Sequence, residues 1–432
     1  MAKVKTEYKC TNCSATSPKW SGQCMSCKEW HTLEERDKPQ KNNGGLSSSS
    51  IRGIAPRTLS EAREISYKRI PTGIQEVDRV LGGGIVPGAL MLLGGEPGIG
   101  KSTLTLQVLN QLGLENMVYV AGEESMEQIK IRADRMNCSL DNLYFIESNI
   151  LEEVLNCLEN LEKENDRIGF LVIDSIQTIK TASSNSFAGS TSNIRHVTEA
   201  ILNWAKSRGV PVLIIGHVTK DGEIAGPKVL EHLVDTVLYI EGDRVARYRF
   251  LKSMKNRFGS TEEVGLFHMN ADGLREVADP AKEFLEERSK ELIGSSLTCT
   301  MEGNRPFIVE VQALTAPSSF GYPKRSAVGF DNNRLAMIIA VLQKYHGVDL
   351  SQQDVFVNVS GGFKIKDTAA DLAVMNSLVG SYKKKPQKLN KVYIGEVSLT
   401  GETRKCSYYE QRVQEIKRLG FKKADLGNEL GK

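Results

Sequence analysis

Residues 95–102 read Gly95-Glu96-Pro97-Gly98-Ile99-Gly100-Lys101-Ser102, and this octet decides the fold. It fits G-x-x-x-x-G-K-[ST] without a gap, follows the apolar run Ala89–Leu93 and precedes the helically spaced Leu104–Leu112. A glycine-rich turn between a strand and a helix points successive backbone N–H groups at one spot on the helix N-terminus, where a phosphate chain is held. Residues Gly95 to Thr103 are therefore the expected nucleotide cradle. Lys101 reaches the β- and γ-phosphates of ATP, and Ser102 ligates Mg²⁺.

Working outward, short apolar runs recur at Met117–Ala121, Phe170–Ile173, Val212–Ile215 and Thr236–Ile240, with helical stretches such as Leu151–Leu161 between them. Strands of this kind alternating with helices make a parallel sheet covered on both faces. Phe170-Leu-Val-Ile-Asp174 would deliver its terminal carboxylate to the sheet edge, where Asp174 joins Ser102 around Mg²⁺. Glu123 and Glu124 follow Met117–Ala121, and a carboxylate there can polarise an attacking water, Glu123 being the first choice. His217 ends the Val212–Ile215 strand and is placed to sense the γ-phosphate; a structural histidine fits the sequence equally well. Val264–Met269 and Leu274–Val277 flank Asn-Ala-Asp-Gly, a hairpin that closes this domain.

The chain has 432 residues, 40% of them hydrophobic and 25% charged, with a net charge of +3. This is an ordinary globular mix with room for about three domains. Near-neutral charge restricts any nucleic-acid surface to a local patch. No apolar run is long enough to span a membrane, and Met1–Cys10 has no apolar stretch of a secretory signal. Of eight cysteines, Cys10, Cys13, Cys24 and Cys27 form two C-x-x-C knuckles ten residues apart. Four thiolates so spaced make a tetrahedral zinc site, and the remaining scattered cysteines suit a reducing cytoplasm. Trp20 and Trp30 are expected to cover the metal. The domains expected are 1–33, a four-cysteine zinc module; 34–60, a flexible linker; 61–287, an α/β P-loop ATPase; and 288–432, an α+β domain.

The knuckles are followed, in order, by Arg69-Ile-Pro-Thr-Gly73, the P-loop, Ala121-Gly-Glu-Glu-Ser125 and Lys255-Asn-Arg-Phe-Gly259. This succession resembles the bacterial RadA/Sms recombination and repair family over essentially the whole chain, with a RecA-like ATPase core. The resemblance implies a hexameric ring ATPase on single-stranded DNA that promotes branch migration of recombination intermediates beside a RecA-type recombinase. In such rings a cation from the neighbour completes the ATP site, and Lys255 and Arg257 are the candidates; a basic surface strip with Lys252, or contacts to DNA phosphates, are the alternatives. Two polar, glycine-containing loops, Thr181–Ile194 and Thr219–Lys228, would face DNA in the pore, with Arg195, Lys220 and Lys228 on phosphates.

From about residue 288 the chain resembles the Lon protease domain. Where those proteases carry their serine nucleophile this sequence has Ala370, and where they carry the lysine it has Glu410. Without hydroxyl or amine there is no dyad, so the resemblance implies a scaffold stripped of proteolysis. Neither Ser360 nor Ser377 occupies the motif position. Lys383, Lys384, Lys385, Lys388 and Lys391 cluster around Pro386, as a solvated surface or a second phosphate grip. Three readings compete: a DNA-stimulated motor, an ATP-gated platform that loads recombinase filaments, and an ATP-dependent protease, which Ala370 disfavours.

Overall fold

The computed structural model describes residues 6–11, 16–17, 20–25, 27–30, 32–37, 68–165, 167–182, 187–216, 229–242, 248–277, 291–319, 322–388 and 390–424. The chain divides into two units, residues 1–66 and 67–432. In the first, β1 (Thr6–Cys10) lies between β2 (Thr16–Ser17) and β3 (Leu33–Asp37). β3 pairs antiparallel with β1 from Cys10↔Leu33 to Thr6↔Asp37. The module's last strand thus covers residues 34–37, which the sequence assigns to the linker. A backbone ladder needs no apolar side chains, so hydropathy misses this extension.

The second unit is built on a nine-stranded sheet, order β12-β11-β10-β9-β4-β8-β7-β5-β6. Its strands are β4 (Leu90–Gly95), β5 (Met117–Ala121), β6 (Leu143–Ile146), β7 (Phe170–Asp174), β8 (Val212–Ile215), β9 (Thr236–Glu241), β10 (Tyr248–Asn256), β11 (Val264–Asn270) and β12 (Gly273–Glu276). The six strands from β4 to β9 are mutually parallel, and β10–β12 add an antiparallel meander. β4, β5, β7 and β8 are buried throughout, as strands covered on both faces must be.

Alternation splits β4 between two cores. Met91 and Leu93 pack with α1 (Gln75–Leu81), α2 (Lys101–Leu112) and α3 (Met126–Arg135). Leu90 and Leu92 pack with α4 (Leu151–Asn165), α5 (Thr191–Arg208) and α6 (Val229–Leu233) on the other face. α5 begins at Thr191 on the cap Ser190, so the last four residues of the expected 181–194 loop are helical.

The C-terminal part carries a six-stranded mixed sheet, order β16-β17-β15-β14-β19-β22. Its elements in chain order are β13 (Glu291–Ile293), β14 (Ser295–Glu302), β15 (Arg305–Pro317), β16 (Arg325–Val328), α7 (Asn332–His346), β17 (Gln353–Val359), α8 (Asp371–Tyr382), β18 (Pro386–Lys388), β19 (Lys391–Tyr393), β20 (Glu396–Val397), β21 (Thr403–Arg404), α9 (Tyr409–Arg418) and β22 (Lys422–Ala424). α7 and α8 cover one face through Leu335, Ile339, Leu372 and Met375.

The same core takes in Tyr248 and Leu266 from the ATPase strands, so the segments that the sequence separates at residue 287 share one interior. Phe250 of β10 meets Phe363 edge-on at a centroid distance of 5.4 Å and Phe307 at 6.3 Å. Around these rings Lys252 bridges Glu241 at 2.8 Å and Glu302 at 3.0 Å. Arg305 pairs with the buried Glu76 of α1. Among the described residues no helix is long and apolar enough to cross a membrane.

Candidate functional site

Register assembles the site. Ala121 stands beside Asp174, Asp174 beside Ile215, and Ile215 beside Leu93. The C-terminal ends of β4, β5, β7 and β8 therefore open at one edge, where the P-loop leaves β4. That is where ligands bind in open α/β sheets. Gly98 has φ +76° with nothing within 4 Å of a built Cβ, so its glycine answers to backbone conformation alone. At Gly122 the requirement is space, because a Cβ would lie 1.9 Å from the Thr178 hydroxyl.

A cleft of about 240 Å³ forms over this edge, lined by Pro97, Gly98, Gly100, Lys101, Ser102, Thr103, Glu123, Glu124, Arg132 and Asp174. Gly95 and the buried Ile99 anchor the loop, and Glu96 borders the neighbouring hollow toward Lys364 and Lys366. The Lys101 ammonium donates to the Gly95 carbonyl at 3.0 Å and the Glu96 carbonyl at 3.1 Å. Burial lowers its pKa against the pull of Asp174 and Glu123. The Ser102 hydroxyl donates to Asp174 Oδ2 at 3.0 Å. A hydroxyl and a carboxylate in contact are oxygen donors suited to Mg²⁺, so this pair fits the ion.

Asp174 also accepts from the Tyr119 hydroxyl at 2.5 Å. Burial raises the Asp174 pKa, and the Tyr119 and Ser102 hydrogen bonds work against that rise. Tyr119 itself is pushed well above the ordinary phenol value, first by burial and then by the Asp174 charge. Glu123 accepts a short hydrogen bond from the Ser175 hydroxyl. Glu124 Oε1 is held by Arg132 at 2.7 Å. The two adjacent acids thus have different keepers: a neutral hydroxyl for Glu123, a cation for Glu124.

Sequence reasoning missed Tyr119, Ser175 and Arg132. Tyr119 sits inside an apolar run and reads as core. Arg132 comes from a helix packed beside the strand edge, and no local spacing announces it.

Lys255 and Arg257 lie away from this cleft. Gly95 pairs with Ile240 and Met91 with Thr236, and β10 runs back so that Asn256 faces Thr236. Both cations therefore stand at the edge opposite the P-loop. The β9–β10 register shifts between Ser253 and Lys255, leaving Met254 exposed, and such a bulge re-aims the next side chain. The Lys255 ammonium donates to the carbonyls of Glu231 at 2.5 Å and Val234 at 2.8 Å, at the end of α6. Arg257 pairs with Asp235 at 3.0 Å.

Of the DNA candidates, Arg195 lies on α5 rather than in a loop and pairs with Glu199 at 2.8 Å on an exposed face. Lys220, Lys228 and the sensor candidate His217 lie outside the described residues.

In the N-terminal unit the Sγ atoms of Cys10, Cys24 and Cys27 lie within 4.8 Å of one another, with Cys10 and Cys27 3.7 Å apart. Zinc–sulfur bonds of about 2.3 Å at tetrahedral angles put sulfurs about 3.8 Å apart, so these thiols fit one zinc ion. Cys13, the fourth expected ligand, lies outside the described residues. Trp20 and Trp30, expected to cover the metal, are 61% and 64% exposed, while Cys10 and Cys24 are buried.

At the protease-like position Ala370 is buried, Asp371 accepts both arms of Arg334, and Asp367 pairs with the buried Arg412 at 2.6 Å. Glu410 is exposed beside Lys405 at 3.2 Å. Ser377 is buried and donates to the Val311 carbonyl at 2.9 Å, while Ser360 meets Glu310 at 3.4 Å. Among the described residues neither serine bonds an amine.

The KaiC ATPase family model matches residues 70–264, and a rubredoxin metal-binding domain model matches residues 8–35. DNA repair protein RadA of Bacillus subtilis strain 168 is 45% identical over 428 residues, 98% of this chain and 92% of that protein. Its namesake in Listeria monocytogenes is 45% identical over 427 residues, with the same coverage of 98% and 92%. That of Brucella abortus is 43% identical over 437 residues, covering 100% of this chain and 93% of its own. Matched along nearly its whole length, the chain belongs to the RadA family of DNA repair proteins.

Proposed function

We propose that this chain is a DNA-dependent ATPase of recombination and repair, working in the cytoplasm as a ring of subunits, a homo-hexamer, on single-stranded DNA. It promotes branch migration of recombination intermediates beside a RecA-type recombinase. One observation carries the ring. Lys255 and Arg257 lie about four residues down the sheet from the P-loop, about 13 Å at strand rise, and so are poorly placed for their own ATP. The pair is best suited to the nucleotide of an adjacent subunit, where added cations stabilise transferring phosphoryl charge.

Within one chain, Lys101 binds the β- and γ-phosphates, and Ser102 and Asp174 hold Mg²⁺. The ion, when bound, would neutralise the charge of the β- and γ-phosphates. Glu123, steadied by Ser175, orients a water for in-line attack and accepts its proton as the bond to the ADP oxygen breaks. Arg195, Lys220 and Lys228 are the proposed contacts to DNA phosphates, and their sequence-independent chemistry suits a translocating strand.

The test is ATP hydrolysis with and without single-stranded DNA, with Lys101→Ala beside the wild type. Strong stimulation that disappears in the variant, a loss of about 100-fold or more, supports the motor. Slow hydrolysis indifferent to DNA, beside tight ATP-dependent DNA binding, would replace the motor with a platform that loads recombinase filaments.

A further inference from the structure

The ATP cleft contains a second cation that the sequence did not single out. Lys101 and Arg132 line it together with the carboxylates of Glu123, Glu124 and Asp174. Arg132 is about one-quarter exposed, and its guanidinium donates to Glu124 Oε1 at 2.7 Å. The other oxygen, Glu124 Oε2, is buried with no hydrogen-bond partner among the described residues. A buried carboxylate oxygen without a hydrogen-bond partner is costly to keep, which leaves the pair open to rearrangement. The Arg132–Glu124 pair is therefore an incompletely satisfied arrangement within reach of an arriving polyanion.

Deepening the ATPase reading above, we propose that Arg132 is a γ-phosphate sensor, whose guanidinium exchanges Glu124 for the terminal phosphate of bound ATP. Three features suit it to that exchange. Its helix is anchored: Ser125 and Gln128 form a capping box, and the Met126 amide donates to Glu147 at 2.9 Å. The backbone of α3 can thus stay in place while the side chain swings. The planar fork of arginine matches phosphate oxygens two at a time. Arg132 is also, beside Lys101, the second cation among the residues that line the cleft, so it is the one that can meet the phosphate from the side away from the P-loop lysine. An arginine is cationic with either partner, and the Glu124 hydrogen bond raises its pKa further while that pair is intact. ADP lacks the phosphate that competes with Glu124, so the exchange makes the site prefer ATP.

The experiment measures binding of fluorescent ATPγS and ADP, with Mg²⁺, to full-length wild type, Arg132→Ala, Arg132→Lys and Glu124→Gln. Arg132→Ala is expected to weaken ATPγS about tenfold and ADP less than twofold. Arg132→Lys, which keeps the charge without the fork, should fall between. Glu124→Gln should raise the preference for ATPγS, since Arg132 loses its competing partner; this variant decides the matter if Arg132→Ala does not fold. A purely structural ion pair would weaken both nucleotides alike in Arg132→Ala and leave the preference unchanged in Glu124→Gln, and that result overturns the proposal. Wild type that binds neither nucleotide would overturn the ATPase reading itself, an outcome distinct from loss of the preference alone.

Discussion

Asp174 stands between two demands. The metal role proposed for it needs a charge, and its buried place on β7 opposes one. The hydroxyls of Tyr119 and Ser102 relieve the conflict by donating to the charged form. Tyr119→Phe removes one donor, so the Asp174 pKa rises further above the ordinary carboxylate value. Under the proposed role hydrolysis requires the ionised form, and the acid limb of the pH–rate profile is therefore expected to move to higher pH. A profile that superimposes on the wild type would assign Tyr119 to packing alone. Lys101, Ser102 and Asp174 were legible because each belongs to a contiguous motif whose strand–loop–helix setting was also readable. Tyr119 and Arg132 were not, because their partnership with the site is created by strand register and helix packing, across 55 residues in the case of Tyr119 and Asp174.

At the scale of elements, the parallel core was readable because fully buried strands are continuous apolar runs. β10 was not: it mixes Arg249, Lys252 and Lys255 with apolar residues, because it passes from the ATPase core into contact with the C-terminal part. The β14–β15 hairpin and α1 meet through Arg305 and Glu76. The Glu76 carboxylate is 3% exposed, pairs with Arg305 and Arg79, and accepts from the Leu266 amide at 2.8 Å. Arg305→Ala strips the nearer cation from a buried charge. Loss of about 3 kcal/mol in denaturant unfolding is expected, the usual penalty for breaking a buried pair from one side. Adding Glu76→Gln should recover much of it, because the orphaned charge is then gone. A single variant that unfolds with the wild type would show the pair to be dispensable.

For the whole molecule, sequence patterning draws a boundary at residue 287 across which the structure runs a shared core. The change of motif after residue 287 suggests separate domains on either side of it. The aromatic contacts of Phe250, Phe307 and Phe363 join them into one interior that no hydropathy window could reveal. The N-terminal unit depends on a different source of stability, since so small a sheet has little core of its own. Cys10→Ser is expected to release one zinc per chain in a chromogenic chelator assay and to unfold residues 6–37, read by hydrogen exchange. Retained metal and protection would mean that the thiols are not its ligands.

The separation of Lys255 and Arg257 from their own P-loop leads, under the proposed sharing between neighbours, to a rule of counting. A closed ring of n chains has n complete sites, an open arc of the same length has n − 1, and a lone chain has none. Specific activity then climbs with protein concentration and takes a last step when the ring shuts. A single inactive copy removes more than its own share of turnover, because it also withholds its cations from next door. What turns over is the junction between two chains.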